Sequence, residues 1–260
     1  MSILTETVDL ATADDATMRA FVARPAGQGP FPAVIVGAEI YGITGHVRGV
    51  CERLAGIGYV ALAPDVHHRT APWVELAEDE AGLARGFELL HQLTREDALE
   101  DVRAAIDFLR IGGSDRIGML GLSVGGHLAY LAASEFDLAA AVIAYGGWIP
   151  TTDIPLGQPQ PTLSRTSGIT GRLLILVGEH DQVISPEQRR EIADALEAAD
   201  VRHELVEYAG IGHGFLNDRR ETFDAAAAED AWARIRALFA DELVRGVNGC
   251  RMEGPEATQI

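Results

Sequence analysis

The chain has 260 residues, and 47% of them are hydrophobic, enough for one large core. Its formal charge is −18, from 39 acidic and 21 basic residues, and every basic residue is an arginine. Such a surface repels the phosphates of nucleic acids and anionic lipids, which leaves a small molecule as the expected partner and excludes nucleic acid and membrane.

Along the chain, Thr5–Leu10 and Met18–Ala23 read as an opening hairpin. Ala33–Gly37 is a short β-branched run, and His46–Leu54 reads as a helix closed by Gly56-Ile57-Gly58. Tyr59–Ala63 is a strand stopped by Pro64. Glu75–Glu80 reads as a solvated acidic segment that could border a pocket. Asp97–Leu109 carries Ala98, Val102, Ile106 and Leu109 at helical spacing. Ile117–Leu120, Leu138–Ala144, Leu173–Val177 and His203–Tyr208 read as strands. Val124–Ala133, a stretch from Pro186 to about Ala198, and Phe223–Leu243 read as helices. Pro150–Gly171 breaks the alternation and reads as an irregular excursion over the surface. Alternating strands and helices imply βαβ units and a mostly parallel sheet with helices on both faces, an α/β fold. The expected organisation is one domain over residues 1–245, with a flexible tail over 246–260.

Two cysteines, Cys51 and Cys250, make no disulfide framework. The first residues lack the apolar core of a signal peptide, and no apolar run is long enough to cross a bilayer. The expected location is the cytoplasm.

The segment Gly121-Leu122-Ser123-Val124-Gly125 fits G-x-S-x-G between a predicted strand and a predicted helix. A nucleophile on such a turn projects its hydroxyl clear of the sheet, and glycines two residues away on either side avoid a clash. A serine hydroxyl needs a base. In α/β-hydrolases the chain order is serine, acid, histidine. His213 stands in a glycine-rich loop after the last predicted strand, whereas His203 opens that strand and reads as structural. Asp181 follows the strand Leu173–Val177, with Glu179 as the alternative acid. The expected oxyanion donors are the N–H groups of Val124 and of the loop after Ala33–Gly37, at Ile40. His67 and His68 lie beside Asp65, but neighbouring side chains diverge and no third ligand has useful spacing, so no metal site is expected. No nucleotide motif occurs and no cofactor is expected.

With these residues in view, the chain resembles the dienelactone hydrolase family of α/β-hydrolases. The resemblance rests on Gly37-Ala38-Glu39-Ile40-Tyr41-Gly42, Ala63-Pro64-Asp65, the Ser123 motif, Tyr145-Gly146, Gly178-Glu179-His180-Asp181 and Gly212-His213-Gly214-Phe215. It implies an α/β-hydrolase fold and cleavage of a small ester or lactone through an acyl-enzyme, with Glu39 tuning the nucleophile or binding substrate. It also implies arginines that hold a substrate carboxylate, Arg69 at one position. Where the second is expected stands Asn217, with Arg219 and Arg220 just beyond. The family's usual nucleophile is cysteine; here it is Ser123. A general carboxylesterase or thioesterase, and a non-catalytic ligand-binding module, are the alternative readings. A monomer or small homo-oligomer is expected.

Overall fold

The computed structural model describes residues 1–14 and 16–245; the proposed tail at 246–260, with Cys250, lies outside them. The opening hairpin is longer at both ends than its sequence pattern suggests: β1 (Ile3–Ala11) pairs antiparallel with β2 (Thr17–Pro25). Next come β3 (Ala33–Gly37), α1 (Gly45–Gly56) and β4 (Val60–Pro64). The order continues with α2 (Glu80–Leu90), α3 (Arg95–Ile111), β5 (Ile117–Leu122), α4 (Val124–Glu135) and β6 (Ala140–Ala144). The chain closes with β7 (Arg172–Gly178), α5 (Pro186–Ala198), β8 (His203–Tyr208) and α6 (Ala225–Phe239).

The eight strands form one sheet in the order β1-β2-β4-β3-β5-β6-β7-β8, parallel from β4 onward. The central strands β3, β5 and β6 are buried at every residue. Their unbroken apolar runs follow from helices covering both faces. One face carries α1 and α6, through Val47, Leu54, Trp232 and Phe239. The other carries α3 and α4, through Val102, Ile106, Leu128 and Tyr130.

Three features depart from the sequence expectation. A helix absent from it, α2, begins within the acidic segment; Asp79 caps it by accepting the Gly82 N–H at 2.8 Å. Its buried face is partly glycine: a methyl at Gly86 would stand 2.8 Å from the Ile40 carbonyl oxygen. The final helix ends at Phe239 rather than Leu243, and a π-type turn over Ala240–Arg245 follows.

The third is the excursion after β6. It is irregular, with 3-10 turns at Pro155–Gly157 and Thr162–Gly168, but it is not a loose surface loop. It covers α4, whose residues Val124 to Ala133 are all buried. Polar pins hold it there. His127, fully buried, donates from Nδ1 to the Gly147 carbonyl at 2.8 Å and accepts at Nε2 from the Thr162 hydroxyl at 2.7 Å. Tyr130 and Thr166 share a hydrogen bond of 2.6 Å. Arg95 donates to the carbonyls of Leu156 and Gln160 at 2.8 and 2.5 Å.

Burial lowers the pKa of His127 from 6.5 to about 4. Below pH 6.5 the unfolded chain takes up a proton that the folded chain refuses. The stability tied to this group is therefore full above pH 6.5 and declines as the pH falls toward 4. Urea unfolding of the native chain and of His127→Gln across that window should show a shallower decline in the variant. Equal slopes would remove His127 from the pH dependence.

Candidate active site

Ser123 sits between the last residue of β5 and the first of α4, with φ of +54° and ψ of −114°. A residue with a side chain adopts that backbone only when its surroundings impose it. Here the imposition is steric. A methyl at Gly121 would stand 1.9 Å from the Gly125 carbonyl oxygen, and one at Gly125 would stand 2.3 Å from the Gly37 carbonyl. The Gly125 N–H donates to Ala38 O at 3.0 Å, tying α4 to the loop after β3. Ser123 occupies the N-cap position of α4 but makes no capping bond with its side chain, so its hydroxyl is available elsewhere.

That hydroxyl meets His213: Oγ to Nε2 is 2.9 Å. The other ring nitrogen, Nδ1, faces Asp181 at 2.9 Å from Oδ2 and 3.1 Å from Oδ1. Asp181 is 6% exposed and also accepts the N–H groups of Val183 and Ile184 at 2.8 and 3.3 Å. The carboxylate is thereby fixed in orientation, and it selects the tautomer in which Nδ1 carries the proton and Nε2 can accept from serine. His213 rides on a loop turned by Gly210 and Gly214, at φ of +72° and +79°. The alternative acid, Glu179, does not reach the ring; its carboxylate accepts the Gly210 N–H at 2.8 Å and anchors that loop. His203 bonds the Val201 carbonyl from the start of β8.

Glu39 is 2% exposed in the loop after β3. One oxygen, Oε2, accepts from Asn217 at 3.3 Å and from Arg220 at 3.2 Å. Arg220 also donates to Glu78 at 2.7 Å and lies over the Tyr41 ring, 4.9 Å from its centroid. Burial disfavours the guanidinium charge, but Glu39 and Glu78 outweigh it and raise its pKa. The second oxygen of Glu39 and the Tyr145 hydroxyl are buried without a hydrogen-bond partner. Burial, and then the charge of Glu39, push the Tyr145 pKa well above its ordinary value. The Tyr145 ring also packs edge-on against His213, with centroids 5.1 Å apart. Ile40 and Val124 stand on the two segments that the Ala38–Gly125 bond joins, and Val124, as the first residue of α4, has an N–H with no partner one turn back.

Arg69 stands in the loop after β4. Its guanidinium bonds both oxygens of Asp101, at 2.8 and 3.1 Å, and Asp14 at 2.9 Å. Asp101 is fully buried and also meets His68 Nε2 at 3.1 Å. The arginine given a substrate-binding role from the sequence is thus engaged by carboxylates of its own chain. Arg220, Asn217, Glu78 and Tyr145 had no assigned role in the sequence; the pair Arg219-Arg220 just past the expected offset was the available signal. Among the described residues no group of three or more His, Cys, Asp or Glu side chains is placed to hold a metal ion, and no helix is long and apolar enough to cross a membrane.

The sequence profile of the dienelactone hydrolase family matches residues 18–243. A protein of Synechocystis sp. described as a carboxymethylenebutenolidase is 34% identical over 226 residues, 86% of this chain and 91% of that one. One of Escherichia coli strain K12, described likewise, is 32% identical over 225 residues, 85% of this chain and 82% of that one. A crystal structure from Klebsiella pneumoniae described as a dienelactone hydrolase superposes with a TM-score of 0.84 at 29% identity, covering 92% of this chain and 99% of that one.

Replacing Asp101 by Ala strips a buried carboxylate from two basic side chains and should cost about 3 kcal/mol in urea unfolding. An unfolding midpoint equal to that of the native chain would remove these contacts from the stability of the fold.

Proposed function

The chain belongs to the dienelactone hydrolase family, and from that premise we propose that it hydrolyses a small ester or lactone with Ser123 as nucleophile, His213 as base and Asp181 as the acid that orients it. The observation that carries this reading is the unbroken contact path from Ser123 Oγ through His213 to Asp181, with both steps at 2.9 Å.

In the first step Ser123 Oγ attacks the carbonyl carbon while His213 Nε2 takes the hydroxyl proton. Asp181 stabilises the resulting imidazolium. The oxyanion is held by the N–H groups of Val124 and Ile40. The carbon–oxygen bond then breaks, and His213 returns the proton to the leaving alkoxide. From a lactone that alcohol stays on the acyl chain; from an ester it departs. Water, deprotonated by His213, attacks the acyl-enzyme and frees the acid and Ser123. No step calls on a cofactor.

With Ser123 paired to His213, Glu39 is read as the residue that holds Arg220 beside the site. The relatives described as carboxymethylenebutenolidases support a lactone. The engagement of Arg69 by Asp101 and Asp14 supports a second reading, a carboxylesterase for uncharged esters. The buried, unpaired Cys51 suits work in the cytoplasm.

Hydrolysis of p-nitrophenyl acetate and of a dienelactone should fall at least about 10⁴-fold in Ser123→Ala and in His213→Ala, with the double variant no worse than either. Activity retained in Ser123→Ala would reject the nucleophile. In the native chain, a higher kcat/KM for the carboxylate-bearing lactone than for its methyl ester supports the lactone; the reverse order supports the esterase.

A further inference from the structure

A cavity of about 570 Å³ opens between α1 and α6, on the sheet face away from α3 and α4. Its size is that of a small-molecule site. Neither Ser123, Asp181, His213 nor Glu39 lines it. Apolar surface comes from Val50 of α1, Trp232 of α6, Leu216 of the loop that carries His213, and the exposed Phe223 ring. A methyl built on Gly49, in the same wall, meets nothing within 4 Å, so the space is open above α1.

Both ends are cationic. At one, the Arg53 guanidinium lies over the Trp232 ring, 4.1 Å from its centroid, with Arg236 beside it. Partial burial, and then the charge of Arg236, lower the Arg53 pKa. At the other end Arg219 lies against Gly45, where an added methyl would stand 2.4 Å from its guanidinium. Arg53 is eight residues beyond Gly45, about 12 Å along the helix. Among the described residues none of these three guanidiniums has a carboxylate within 4.0 Å, although Asp218 and Glu229 also line the cavity. In a chain of charge −18, the neighbouring guanidiniums of Arg53 and Arg236, with no carboxylate within 4.0 Å among the described residues, form a site that an anion relieves. The face of Arg53 is used by the indole, and its in-plane N–H groups remain free to grip a carboxylate.

We propose that this groove binds a small organic dianion, an apolar body with a carboxylate at each end, one held by Arg53 and Arg236 and the other by Arg219. The site is separate from the catalytic reading and stands without it.

The test is calorimetric titration of the full chain with suberate, octanoate and 1,8-octanediol. Suberate should bind once per chain, octanoate more weakly, and the diol without detectable heat. Arg53→Gln and Arg219→Gln should each weaken suberate about tenfold, the scale of one charge-assisted contact. Gly49→Leu fills the space and favours the helix, and it should abolish binding in a folded chain. Ser123→Ala should bind as the native chain does. No heat with suberate overturns the proposal. So does equal binding of the diol or of octanoate, or unchanged binding in the arginine variants or in Gly49→Leu.

Discussion

Three glycine backbones in contact govern the architecture around the site. Gly37 ends β3, Gly121 lies near the end of β5 and Gly125 lies in the first turn of α4; among them a single Cβ would intrude to 1.9–2.9 Å of a backbone atom. This proximity brings the start of α4 against the ends of two neighbouring strands. It throws Ser123 into a left-handed backbone and sets the Ile40 loop beside the first amide of the helix. A side chain at any of the three would push the turn that carries Ser123 away from the loop after β3.

Around this point, charge is arranged in closed groups. Glu39 and Glu78 share Arg220, while Asp101 holds Arg69 and His68. A buried ion pair gains little net stability over an apolar pair, because desolvation consumes most of the attraction. What such pairs supply is position. The Glu78–Arg220 contact fastens the segment before α2 to the loop after His213, and Asp101 fastens the loop after β4 to α3. Arginine suits this work: its planar fork meets carboxylates at several points at once, which an ammonium cannot do.

The parallel strands were legible because burial on both faces writes itself as continuous apolar runs. The proximity of Ser123, Asp181 and His213 was legible because each follows a strand, in an order that the sheet brings together. The α2 helix was not legible, since Gly82 and Gly86 on its buried face remove the apolar stripe by which a helix is recognised. The covering role of the segment after β6 was hidden for another reason. It depends on His127, Tyr130 and Arg95, polar side chains whose partners are some 20 to 65 residues away in sequence. The pairing of Arg220 with Glu39 escaped because a loop turned by Gly214 delivers the guanidinium from an offset that spacing alone did not single out.

At the far margin of the sheet, β8 has a neighbour on one side only among the described residues. Such a margin invites a strand from another copy to extend the ladder. Here Glu204 is bound to Arg234 of α6, Glu207 to Arg189 of α5, and the Tyr208 hydroxyl to Asp230. Helices on both faces thus tether the side chains of the exposed strand, and an incoming strand would meet fixed charge along its whole length. The sheet ends at eight strands through a fence of ion pairs rather than by closure into a barrel, and the same fence discourages fibrous self-association at high concentration.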